Sequence, residues 1–103
     1  MKFRDRKGNV ITSDEYAALL AEDHYKIVAR SYDLPDGQMV STVWLGMDHI
    51  GGVFETMVFG GEYGQEIMYR YETETQALTG HLRVVLELKG LAPLIPFNFK
   101  EMV

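Results

Sequence analysis

The chain has no cysteine among its 103 residues. Disulfides, thiolate nucleophiles and cysteine-based zinc sites are therefore excluded, and a reducing cytoplasm suits the chain without being required. No apolar run approaches the roughly 20 residues that a membrane-spanning helix needs, so no membrane partner is expected. The first residues, Met1 to Lys7, carry charges with no apolar segment behind them, unlike a secretory signal. Basic charge is also in short supply. Ten Lys and Arg face fifteen Asp and Glu, for a formal charge of −5; residues 1–34 hold six of each sign, and residues 35–103 hold four basic and nine acidic side chains. Without a basic stripe the chain is a poor nucleic-acid binder, because that affinity comes mainly from phosphate neutralisation. What is present, 47% hydrophobic and 24% charged residues, is the make-up of one soluble domain over residues 1–103.

Residues 2–12 predict a short hairpin, with Phe3 leading in, Lys7-Gly8-Asn9 turning and Val10-Ile11-Thr12 leading out. Thr12 or Ser13 starts a helix over residues 13–23. Glu15 stands three residues after Thr12 as in a capping box, and Tyr16, Leu19 and Leu20 form a narrow apolar stripe. Glu22 and Asp23 at its end oppose the helix dipole, so this element depends on packing. From residue 26 the period becomes alternating. Strands are expected over 26–32, Met39 to Leu45, Val53 to Phe59 and Gln65 to Tyr71, with Leu34-Pro35-Asp36-Gly37 as the strongest turn signal. Short connections make residues 26–71 an antiparallel meander. Both faces of the Met39 to Leu45 strand carry apolar residues, as a helix on one face would require.

Thr73, with Gln76 at the capping-box position, opens a second helix over 73–89. Ala77, His81, Val84, Val85 and Leu88 fall on one stripe that should lie on the sheet; Gly90 closes the helix, and Pro93 and Pro96 prevent its resumption. The expected fold is α+β: a four-stranded antiparallel meander, a C-terminal helix across one face, and the first helix with the N-terminal hairpin at an edge. The apolar tail, residues 91–103, either folds back over its own core or docks on another subunit, which makes Leu94, Ile95, Phe97 and Phe99 candidate interface residues.

Several of these segments resemble a family of short uncharacterised proteins encoded by actinobacterial bacteriophages and some bacterial chromosomes. The residues are Ser41-Thr42-Val43-Trp44-Leu45-Gly46-Met47-Asp48-His49, Phe54-Glu55-Thr56-Met57-Val58-Phe59, and Arg70-Tyr71 followed by Thr73, Ala77, Gly80 and His81. Asp5-Arg6 and Glu15 fit the same pattern, so the likeness covers residues 3–88. It implies a phage or prophage source and a cytoplasmic life, and it brings no activity with it. Two departures stand out: the loop after Asp48-His49 is often longer and proline-containing in the family, and the tail after Gly90 lies outside the pattern.

The candidates for chemistry are Asp48, His49, Glu55 and His81. Two imidazoles and a carboxylate suit zinc or iron, but neither HExxH nor facial-triad spacing occurs, and Asp48 and His49 are adjacent residues that diverge if extended. No metal or cofactor is expected. The plainer reading makes His81 a core-facing histidine bonded to a strand carbonyl or to Glu55, and Asp48 a turn carboxylate accepting backbone N–H groups. Ser13, Ser31 and Ser41 lack a nucleophile-elbow context, and Gly60-Gly61-Glu62-Tyr63-Gly64 is a hairpin tip with no Gly-Lys-Ser/Thr after it. The aromatics Trp44, Phe54, Phe59, Tyr69 and Tyr71 fill the core or make the uncovered sheet face a contact surface, with Trp44 a candidate interface residue. The reading that follows is a non-enzymatic phage-type accessory protein acting by protein-protein contact, as a homodimer or with a host protein. The other is a small-ligand or metal site near Asp48, His49, Glu55 and His81, of which sequestration of a nucleotide signal is one variant.

Overall fold

The structure, a computed structural model, describes residues 1–48, 51–61 and 64–91, with the backbone alone for residues 65–68. His49 and the tail residues Leu94, Ile95, Phe97 and Phe99 lie outside the described residues. In chain order the elements are β1 (Phe3–Arg4), β2 (Val10–Ile11), α1 (Ser13–Leu20), α2 (Asp23–Lys26), β3 (Ile27–Ser31), β4 (Met39–Trp44), β5 (Phe54–Gly60), β6 (Gly64–Tyr71) and α3 (Glu74–Leu88). The fold is α+β. β1 and β2 form the N-terminal hairpin, and β3 to β6 make a four-stranded antiparallel sheet in sequential order.

Both main helices begin where their capping boxes lie. Thr12 Oγ1 accepts from Glu15 N at 3.1 Å while Thr12 N donates to Glu15 Oε1 at 2.9 Å; Thr73 and Gln76 exchange the same pair at 3.2 and 3.3 Å. The first helix does not run on to Asp23 as its sequence suggests. It stops at Leu20, Glu22 is extended (φ −100°, ψ 103°), and Asp23 opens the four-residue α2. The break moves Asp23 from the negative end of one helix to the positive end of the next, where its Oδ1 also meets Lys26 Nζ at 3.1 Å.

α3 packs across one face of the sheet, here the inner face. Its Val84 and Val85 join Leu34, Val40 and Val58 in one apolar cluster; Ala77, near its start, joins Trp44, Val53, Phe54 and Tyr71 in another. At Gly80 the helix backbone comes so close to Tyr71 that a Cβ would sit 2.2 Å from the Tyr71 hydroxyl. A register shift between Ile27 and Ala29 inserts an extra residue into β3, so that Ile27, opposite Val43, and Arg30, opposite Ser41, both point away from α3.

Candidate functional site

Between the two apolar clusters the interface of α3 with the sheet is polar. His81 is 7% exposed and faces inward from α3. Its Nδ1 lies 2.8 Å from Thr42 Oγ1 and its Nε2 2.9 Å from Ser31 Oγ. Thr42 Oγ1 in turn lies 2.6 Å from Thr56 Oγ1 on the next strand. One chain of three hydroxyls and an imidazole thus links β3, β4 and β5 beneath the helix. On the next strand, burial pushes the pKa of Tyr71 up to about 12. The sequence places His81 correctly on the core-facing stripe; its partners are two hydroxyls rather than a strand carbonyl or Glu55, because Ser31 and Thr42 stand in adjacent strands on the same face.

Burial lowers the His81 pKa from 6.5. Both hydroxyls are able to accept from an imidazolium, so charging the ring costs mainly its desolvation. The unfolded chain takes up the proton more readily, which means that stability is full above about pH 6.5 and falls as the pH drops below it. Urea unfolding at pH 7.5 and 5.5 should show a lower midpoint at 5.5, with the drop much reduced in His81→Gln, which has no proton to gain in that interval.

Glu55 points the other way. It lies opposite Val43 and Arg70 in the sheet, on the outer face, and its Oε2 accepts from Arg70 Nε at 3.0 Å with 8% of its side chain exposed. Asp48, beyond β4, is bound to the N-terminal strand: its Oδ2 takes Arg4 Nε at 2.6 Å and its Oδ1 takes Lys2 N at 3.1 Å. The Arg4 guanidinium holds its pKa below the usual carboxylate range. It does accept a backbone N–H group, but from Lys2 across the fold rather than from its own turn. So the structure gathers no site from Asp48, Glu55 and His81: each has a separate partner, and Glu55 and His81 lie on opposite faces. Among the described residues no three His, Asp or Glu side chains group as an ion would require.

Nor do the aromatics make the uncovered face a contact surface. Trp44 shares the inner face with Thr42, is 1% exposed and donates from its indole N–H to Arg4 O at 2.9 Å. Phe54 and Tyr71 are buried beside it. Trp44 is thus core rather than an interface residue, because its parity in β4 is that of Val40 and Thr42. Phe59, opposite Met39, is the aromatic left on the outer face.

No family model, curated protein or solved structure matches this chain. The site has to be read from its own geometry. The outer face carries Ile27, Val43, Met57 and Phe59, all half-buried, with Arg30 exposed among them. Beyond α1 and α2 at one end, no described helix lies over it. Residues of α1, α2, β3 and β4 line an open cleft of about 700 Å³: Tyr16, Leu20, Ile27, Val43, Leu45 and Met47, with the charged Asp23, Lys26 and Arg30 and with Trp44 also in the lining. Sequence reading missed this cleft. Its signal was faint: the apolar residues of β4 that α3 leaves over, and the bulge in β3 that lines Ile27 up with Arg30. No described helix is long and apolar enough to cross a membrane.

Proposed function

We propose that the chain acts non-enzymatically through protein-protein contact, as a phage-type accessory protein in the host cytoplasm, by way of the outer face of its sheet. The observation that carries this reading is the half-buried apolar set Ile27, Val43, Met57 and Phe59 on a face that the C-terminal helix does not cover. Partly exposed apolar surface of this kind favours association. The phage-type character rests on the resemblance of the Ser41 to His49, Phe54 to Phe59 and Arg70 to His81 segments. A homodimer and a host-protein complex are the two forms the contact takes; the tail, residues 92–103, lies outside the described residues.

Met57 stands mid-strand on that face, opposite Ser41. Met57→Lys should keep the far-ultraviolet circular dichroism of the wild type while abolishing the contact. In light scattering a wild-type dimer becomes a monomer, or in bacterial lysate a protein captured by the wild type is lost from the variant. A wild type that stays monomeric and captures nothing beyond what Met57→Lys captures overturns the reading.

A further inference from the structure

We propose that the cleft between α1, α2 and the outer face is a docking site for an extended peptide segment of a partner protein, one that carries an acidic side chain two residues from an apolar one. This rests on the contact reading above and names the chemistry of what is contacted.

Three observations converge on it. First, the cleft is apolar along its walls and of a size, about 700 Å³, common among ligand sites. Second, the charged part of its lining is net positive in an acidic chain. Of its three charged residues, Asp23 and Lys26 pair with each other at 3.1 Å, and Arg30 has no acidic partner among the described residues, reaching only Ser41 Oγ at 3.5 Å. One positive charge is left for an occupant. Third, β3 is an edge strand with β4 as its one neighbour among the described residues. An edge offers unpaired backbone donors and acceptors, and an added strand takes its affinity from them and its specificity from alternate side chains.

The bulge in β3 sets the spacing. Ile27 and Arg30 stand opposite Val43 and Ser41, two residues apart on β4. A strand laid beside β3 therefore meets the apolar wall with one side chain and the Arg30 guanidinium with the side chain two positions along. The same charges argue against a second copy on this edge. Pairing β3 with β3 of a twin would bring two Arg30 guanidiniums together, each without an acidic partner among the described residues.

The chain has one tryptophan, Trp44, and it borders the cleft, so its emission reports occupancy. The full chain is titrated with two blocked hexapeptides, TVTDTV and TVTNTV, and with sodium octanoate. TVTDTV should bind about ten-fold more tightly than TVTNTV, as a charge-assisted bond to one arginine implies. Arg30→Gln, an exposed position, should remove that difference while leaving the unfolding midpoint unchanged, and N-methylation of alternate peptide amides should weaken TVTDTV by a similar factor. Equal affinities, no saturable change with either peptide, or saturation by octanoate alone overturns the inference. If Met57→Lys still abolishes partner capture in that event, the contact reading stands and only this address fails. If TVTDTV binds as expected and Met57→Lys changes nothing, the peptide site survives and the broad-face reading falls.

Discussion

Trp44→Ala should lower stability by about 4 kcal/mol, as expected when a large buried ring is truncated. For a domain whose total stability is on the order of 5–15 kcal/mol, that loss brings the chain close to unfolding at ambient temperature. The indole is where separate parts of the chain converge. Tyr25 meets it edge-on at 5.0 Å, Tyr16 lies tilted at 5.6 Å, and Phe3 stacks on Tyr16 at 4.3 Å. Val53, Phe54, Tyr71 and Ala77 close the other side. Truncation also leaves the Arg4 carbonyl without the indole N–H that it accepts. The loss should therefore be uneven: hydrogen exchange at residues 3–11 and in α1 should rise before exchange in β5 does. Trp44→Phe, which keeps much of the ring volume but no donor, should fall between the two. Urea unfolding followed by circular dichroism gives the midpoints, and a loss under 1.5 kcal/mol for the alanine variant contradicts the packing described.

The second large effect is expected at Gly80. Alanine in mid-helix is ordinarily favoured over glycine by about 0.5–1 kcal/mol. Here the methyl carbon would lie 2.2 to 2.4 Å from the hydroxyl and ring of Tyr71, which is 2% exposed and packed on every side. A clash with a buried ring costs more than propensity returns, so Gly80→Ala should destabilise by about 2 kcal/mol. α3 would have to lift from the sheet, weakening the His81 bonds to Ser31 and Thr42 as well. A double-mutant cycle isolates the cause: with Tyr71→Ala already present, the added methyl should cost little or nothing. A Gly80→Ala chain as stable as the wild type would show that helix and ring give way easily.

Much of the fold was legible because local signals agreed with one another. Thr12 with Glu15 and Thr73 with Gln76 set helix starts through bonds within four residues, and alternation from Met39 onward set the strands. The break at Glu22 was half-visible: two acids at a helix end are unfavourable, but sequence alone does not say that the chain answers by starting a new turn. The bulge in β3 has no glycine or proline to mark it, so the shared outward face of Ile27 and Arg30 was hidden. Which of its two readings Trp44 follows, core or contact surface, was hidden for a related reason. Its strand has apolar residues on both faces, and alternation does not say which face the helix takes. For the candidate site, the sequence left a shared site at Asp48, His49, Glu55 and His81 as the alternative to separate structural roles. Asp48, Glu55 and His81 each meet a partner distant in sequence, Arg4, Arg70 and Thr42 in turn, which local pattern does not reveal.

Those distant partners bear on how the chain assembles as it leaves the ribosome. Lys2 and Arg4 are tied to Asp48 across 46 and 44 positions, and Arg6 reaches Glu74 across 68. The first hairpin to emerge is also the one that must wait longest, since two strands of two residues each hold poorly alone. It can rest on Tyr16 and Tyr25 once α1 and α2 follow, but its ties to Asp48 and Glu74 wait for the end of β4 and the start of α3. This hairpin is therefore fully locked in place only after the strands and the helix that follow it have formed.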